Sequence, residues 1–463
     1  MCFLNSLWSQ YKIVYLKNKT YNLKFLLREF KNHIKTNLSF LVGSKLLIAC
    51  SGGLDSIVLS KFCELLKLDF AMAHCNFKLR GDESDNDEGF VKLFAQQINT
   101  NVFVTHFDTE TYAKDNTLSI QMAARELRYV WFKKLALDHN FDYVLTAHHA
   151  DDNLETFLIN LSRGTGIEGL IGIPEINEIF VRPLLPFSRE EILSFAQENK
   201  LKWREDSSNS STKYLRNKLR HHVTNELKSA VPNFLNNFKT TVSYLKQSNE
   251  FIKHQMVKLK KELFDTSEGG NVIKIPISRL REYGNPRTCL YFLLRDYGFT
   301  AWDDIEQFIK SQSGKQIFSN SYRLVKDRDY LLLSPIVEEI SDRCYQISEE
   351  ESMLMIPSGT LKFKEVLEMS DIDFKTIFVD KAKLKYPLTV RKWKEGDYFY
   401  PIGMKGKKKL SKYFKDEKLS LLAKERVWLL CSDNEILWII NYRADDRFKI
   451  TPQTKELLKI TIT

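Results

Sequence analysis

The chain has no Cys-x-x-Cys pair: its seven cysteines, Cys2, Cys50, Cys63, Cys75, Cys289, Cys344 and Cys431, are scattered over 463 residues. That spacing excludes a zinc ribbon and a dithiol redox site, and a disulfide framework does not suit a chain this long. A reducing cytoplasm is the expected compartment. The opening residues, MCFLNSLWSQYKIVYLKNK, lack a basic start and an apolar run of signal-peptide length. No stretch approaches the roughly 18 apolar residues that cross a bilayer, so no membrane partner is expected. No G-x-x-x-x-G-K-[ST] occurs, which excludes a Walker A phosphate loop. Internal repeats and low-complexity tracts are also missing.

What is present is an ordinary globular composition, 43% apolar and 28% charged, with a net charge of +10. The positive balance favours a polyanionic partner without distinguishing RNA, DNA or an anionic surface. At roughly 150 residues per domain the length suggests about three domains.

An amphipathic helix is expected over Tyr21–Leu38, with Leu23, Leu26, Leu27, Phe30 and Ile34 on one side. Apolar runs then alternate with helical patterns. KLLIAC (Lys45–Cys50), DFAMAHC (Asp69–Cys75), NVFVTHF (Asn101–Phe107) and DYVLTAHH (Asp142–His149) are separated by helices that include Ser56–Leu66 and Ile120–Leu137. This predicts an α/β fold with a parallel, Rossmann-like sheet, whose ligands bind at the carboxyl ends of the strands. The alternation stops near Pro232. The expected segments are an N-terminal extension and helix (1–43), a nucleotide domain (44–231), a helical linker (232–335) and a small mixed or β C-terminal domain (350–463). The acidic stretches Val337–Asp342 and Ser348–Ser352 mark the last junction.

Ser51-Gly52-Gly53-Leu54-Asp55-Ser56 follows a buried-looking strand and precedes a helix. Two glycines let backbone N–H groups close on phosphate oxygens, Ser51 and Ser56 add hydroxyls, and the helix offers its positive end. Asp55 would repel a triphosphate unless Mg²⁺ or a cationic substrate group stands between them. A Gly-turn with a serine cap is the bland alternative, and the full hexapeptide in this context outweighs it. Gly164-Thr165-Gly166-Ile167-Glu168-Gly169 also fits G-x-G-x-x-G, but it follows a helix instead of a strand, so a dinucleotide site is rejected.

In HHADDNLET (148–156), Asp152 and Glu155 share one face at a helix start and suit a Mg²⁺ ion or an ammonium group. Asp151 reads as a helix-dipole partner. His148 and His149 have no third ligand at zinc spacing, so hydrogen bonding or packing is expected of them. Arg125 and Arg128 in Gln121–Tyr129 are phosphate-recognising residue types, although solvated helix arginines are commoner. The acidic run in Phe77–Phe90, which contains Arg80, reads by itself as a solvated loop. Glu205–Asn209 leading into Tyr214–Arg220 reads as a polar cover over the site.

Taken together, these motifs resemble a known family. SGGLDS resembles the loop of the PP-loop ATP pyrophosphatases. LRGDESD, MAARELRY, AHHADDNLET, SRGTGIEGL, EDSSN and YLRNKLR, in that order, resemble the tRNA(Ile)-lysidine synthases. So do Gly396–Lys418 and Asn441–Thr451. The likeness covers Lys45–Asn217 and Leu388–Thr451. It departs at Phe77 and Lys78, where many relatives have His-Gly, and at Lys412, where an Asp is usual.

The resemblance implies an ATP- and Mg²⁺-dependent ligase. It adenylates the wobble cytidine of a tRNA(Ile) with a CAU anticodon and then transfers free L-lysine to carbon 2. On this reading Ser51–Ser56 bind ATP and Asp55 holds the metal. Asp55, Asp152 and Glu155 surround lysine, and Arg125 or Arg216 faces the α-phosphate. Lys405, Lys407, Lys408, Lys409 and Lys412 bind tRNA phosphates, with Tyr413 and Phe414 as stacking faces. The linker is read as contacting tRNA too, and a homodimer is carried as an expectation. The rivals are a PP-loop tRNA thiolase, disfavoured by the absent Cys-x-x-Cys, and a non-catalytic RNA-binding protein.

Overall fold

The computed structural model describes residues 25–205, 215–266, 271–336, 344–369 and 374–463. They form two compact units that divide between Lys253 and His254. The acidic stretch Val337–Asp342 and most of Glu205–Asn209 lie outside the described residues, as do residues 21–24 of the expected first helix.

The first unit is built on a six-stranded sheet. Its strands are β1 (Leu46–Ala49), β2 (Phe70–Asn76), β3 (Val102–His106), β4 (Tyr143–Leu145), β5 (Ile176–Asn177) and β6 (Phe180–Val181), in spatial order β3-β2-β1-β4-β6-β5. Only the β5–β6 pairing is antiparallel. The central strands are short and apolar because helices cover both faces. On one side the helix over 25–37, here α1, contributes Leu26, Phe30 and Ile34. They pack with α2 (Leu54–Leu65) and with Ile192 and Phe195 of a later helix. On the other side Phe132, Leu135 and Ala136 pack against Leu47, Ala71 and Val144.

The order runs outward from β1 through β2 to β3, then resumes on the other side with β4. The switch point of the sheet therefore lies between the paired strands β1 and β4, and the carboxyl ends of such strands are where sheets of this kind bind ligands. Ser51–Ser56 leave β1 there, and His148–Glu155 leave β4.

The acidic run that reads as a loop is a helix, α3 (Asp82–Gln97). Gly81 turns the chain at φ +52°, and Asp82, Glu83 and Asp85 in the first turn complement the helix dipole. Val91, Phe94 and Ala95 bury the opposite face. The rejected Gly164–Gly169 motif does follow a helix, α6 (Ala150–Ser162), after α4 (Thr109–Asp115) and α5 (Ile120–Asp138).

Residues 232–335, most of them in the second unit, contain more than the expected helices. After the long helix Phe234–Leu263, which begins in the first unit, a four-stranded antiparallel sheet forms from Ile273–Pro276, Tyr330–Pro335, Tyr322–Asp327 and Gln316–Phe318. Three short helices pack on it through Leu280, Leu290, Leu293 and Ile305. The strands are too short for their alternation to stand out in the sequence. Beyond them, two four-stranded sheets share a core of Leu361, Leu430, Trp438 and Ile460. No helix among the described residues is long and apolar enough to cross a membrane.

Candidate functional site

The loop after β1 takes its shape from its own side chains. Gly52 sits at φ +84°, and a Cβ there would lie 3.2 Å from Val91 Cγ2, so a larger residue would meet both strain and crowding. Ser56 Oγ donates to Gly53 O at 2.9 Å, and Gly53 N–H donates to Ser51 Oγ at 3.3 Å. Ser56 is buried and Leu54 belongs to the core; these two build the cradle, and Ser51 remains exposed at its rim. The N-terminus of α2 opens onto this turn with Gly53 as its cap. Donor-rich backbone and a helix end together make an anion site.

Asp55 stands in the first turn of α2 with Oδ1 buried and unpartnered. Burial holds its carboxyl above the ordinary range, with the Asp152 charge adding to the rise and His149 opposing it. His149 Nε2 lies 3.7 Å from Asp55 Oδ2 and 3.4 Å from Asp152 Oδ2. His149 also caps α6: its Nδ1 accepts from Asp152 N–H, and its own N–H donates to Asp152 Oδ2 at 3.0 Å. The pair serves hydrogen bonding, as the residue types suggest. Burial would raise Asp152, but His149, Arg216 and His148 outweigh it and draw the carboxyl down to about 2. His148 is pushed down to about 4 by burial, and the neighbouring charges of Arg182, Arg216 and Arg128 act in the same direction.

One carboxylate with a free oxygen beside a phosphate cradle fits Mg²⁺, which binds through one or two carboxylates plus substrate phosphates.

Asp152 and Glu155 do share a face, and the structure adds what meets them. Arg216 donates through Nε to Glu155 Oε2 at 2.8 Å and through Nη2 to Asp152 Oδ1 at 3.1 Å. Arg220 donates through Nε to Glu155 Oε1 at 2.6 Å and through Nη2 to Asp152 Oδ1 at 3.1 Å. Glu155 is almost wholly buried beneath them. Asp151 is also more than a dipole partner: it accepts from Arg189 N–H at 2.8 Å and pairs with Lys228. Sequence reasoning named Arg216 but missed Arg220 and Lys228. The available signal was the i, i+4 spacing of the two arginines, which places both on one helical face.

Arg125 is not drawn into this cluster by any hydrogen bond or ion pair among the described residues. It lies exposed on α5 with its guanidinium 4.9 Å from the Tyr129 ring centroid, and Tyr129 packs on Phe180.

In the second unit Lys405, Lys407, Lys409 and Lys412 are exposed, while Lys408 pairs with Asp416 at 2.7 Å. Tyr413 and Phe414, expected as stacking faces, are core residues at 4% and 0% exposure. Both fall on the inward side of the helix Leu410–Asp416. Tyr398 in this stretch is exposed, with the Lys407 ammonium 5.2 Å from its ring centroid.

Three family models match the chain: a PP-loop domain over residues 25–227, a TilS substrate binding domain over 268–336 and a TilS substrate C-terminal domain over 388–460. The chain is 39% identical over 418 residues to the tRNA(Ile)-lysidine synthase of Parabacteroides distasonis, spanning 89% of this chain and 94% of that one. The synthase of Bacteroides thetaiotaomicron is 38% identical over 429 residues, spanning 92% and 97%. That of Porphyromonas gingivalis strain W83 is 36% identical over 439 residues, spanning 90% and 95%.

Proposed function

The chain belongs to the tRNA(Ile)-lysidine synthase family, and we propose that it uses ATP to attach free L-lysine to the wobble cytidine of a CAU-anticodon tRNA(Ile). The observation that carries this reading is the pairing of an anion cradle at Ser51–Ser56 with the acidic face of α6, at the carboxyl ends of the neighbouring strands β1 and β4. Few chemistries need both. A phosphoryl donor requires the first, and a cationic nucleophile requires the second.

The cytidine carbon-2 oxygen attacks the α-phosphorus of ATP, and the bond to the leaving pyrophosphate breaks. The cradle's N–H groups and the N-terminus of α2 hold the pyrophosphate charge. Asp55 would hold Mg²⁺, which when bound neutralises charge on the leaving group. The lysine ammonium loses a proton to solvent water; its nitrogen attacks carbon 2, and the carbon–oxygen bond to AMP breaks. Asp152, held down to about 2, stays anionic at every working pH and supplies counter-charge to the incoming amine, while Glu155, buried beneath Arg216 and Arg220, holds those two guanidinium groups in place. In this reading Arg216 and Arg220, which pair with those carboxylates, supply the positive charge that meets the α-phosphate. The exposed lysines at 405–412 supply phosphate contacts for the tRNA, as does the 232–335 segment. A cytoplasmic location fits a tRNA substrate.

The test is incorporation of labelled lysine into tRNA(Ile) transcripts with a CAU or an altered anticodon, with pyrophosphate release followed in parallel. Lysine incorporation confined to the CAU transcript is expected. A requirement for a sulfur donor would make the protein a thiolase, and tRNA binding without pyrophosphate release would leave only an RNA-binding role.

A further inference from the structure

The phosphate loop has a charge deficit that its own residues do not meet. Ser51–Ser56 contains no cationic side chain and includes the carboxylate of Asp55. The helix terminus offers only about half a unit of positive charge, far short of what a bound triphosphate requires. A P-loop adds its own lysine to the metal; here Mg²⁺ on Asp55 would supply part of the charge, and a side-chain cation must come from outside the loop.

Arg204 stands at that place. Its backbone N–H donates to Gly52 O at 2.9 Å, so the main chain is docked on the loop itself. A Cβ placed on Gly52 would lie 3.9 Å from Arg204 Cγ, which sets the start of the side chain directly over the glycine. The guanidinium is then held from one side: Nε donates to Asp87 Oδ1 at 2.8 Å. Asp87, on α3 and 12% exposed, accepts from Arg80 Nη2 through its other oxygen at 2.9 Å. Arg204 makes no other side-chain hydrogen bond or ion pair among the described residues, and 43% of the side chain is exposed. The carboxylate therefore engages the Nε edge and leaves the two Nη groups, the fork that matches phosphate oxygens, without a hydrogen-bond partner among the described residues.

We propose that Arg204, oriented by Asp87, is a pyrophosphate-contacting residue that binds the β- and γ-phosphates of the nucleotide held on Ser51–Ser56. This rests on the ATP reading of the loop. The contact forms with the triphosphate and persists with the pyrophosphate product, so Arg204 contributes to nucleotide affinity and to product retention. A solvated surface arginine would contribute to neither.

The experiment measures inhibition of the full chain by inorganic pyrophosphate, together with KM for ATP and for lysine. Arg204→Gln is expected to weaken pyrophosphate inhibition and raise KM for ATP, each about tenfold or more, with KM for lysine unchanged. Arg204→Lys should recover part of the loss by restoring the charge without the fork. Asp87→Asn should move pyrophosphate inhibition in the same direction by a smaller factor. Unchanged pyrophosphate inhibition in Arg204→Gln would overturn the proposal. So would a lowered Tm with ATP and lysine affinities falling together, because that pattern marks a purely structural role. A wild-type chain that binds neither ATP nor pyrophosphate would instead overturn the reading of the loop.

Discussion

Glu155 meets Arg220 at 2.6 Å, Oε1 to Nε, with only 1% of the glutamate side chain exposed. The acidic face of α6 is thus engaged by guanidinium groups. Removing one partner of a buried pair leaves the other uncompensated, at a cost of about 3–5 kcal/mol. Glu155→Gln should approach the lower end of that range in urea unfolding, because it strands parts of both Arg216 and Arg220. Arg220→Gln should cost less, since Arg216 still serves the carboxylate. Equal costs for the two variants would contradict this account of the cluster.

Asp55 predicts the opposite balance. Its buried Oδ1 has no partner, and burial raises its carboxyl, so the ionised group is a liability to the folded chain. Asp55→Asn should leave Tm unchanged or raise stability by about 1 kcal/mol. Asp55→Ala should nearly abolish pyrophosphate release while tRNA binding stays almost intact. A loss of activity smaller than tenfold would remove Asp55 from the site.

The contrast between these residues shows what was legible in the sequence. The strand-and-helix alternation stood out because buried parallel strands are short, apolar and regularly spaced. The loop and the acidic motif stood out because each is contiguous. Asp82–Gln97 was harder: its acidic first turn masks the apolar spacing of Val91, Phe94 and Ala95 farther along. Lys228 and Arg204 carry no such signal, since their partners Asp151 and Asp87 lie far away in the chain, and Arg220 offers only its i, i+4 spacing from Arg216. Tyr413 and Phe414 misled for another reason. Lysines beside aromatics resemble a stacking surface until the helical phase turns the rings inward.

The pH dependence of stability follows from His148. Burial holds its folded-state value near 4, whereas an unfolded histidine titrates near 6.5. The unfolded chain therefore binds a proton that the folded chain refuses. This contribution is complete above about pH 6.5 and is lost as pH falls to about 4, by at most about 3 kcal/mol. His74, lowered by its own burial, acts with the same sign. Asp152, near 2 when folded, loses its contribution only below about pH 4. Urea unfolding between pH 7 and 4.5 should show a shallower slope in His148→Gln than in the parent, and identical slopes would refute the assignment.

The C-terminal lysines and aromatics should separate binding from folding. Lys405, Lys407 and Lys409 are exposed, so replacing each with alanine should lower the salt dependence of tRNA affinity by up to about one unit per lost phosphate contact. Lys408 is held by Asp416 and should contribute less. Tyr398, the exposed ring beside Lys407, should weaken tRNA binding when replaced by alanine, with Tm unchanged. Phe414→Ala should instead destabilise the second unit by about 3–5 kcal/mol, because it empties a fully buried position. If Tyr398→Ala and Phe414→Ala gave the same profile, Tyr398 would be packing and the tRNA surface would have to lie elsewhere.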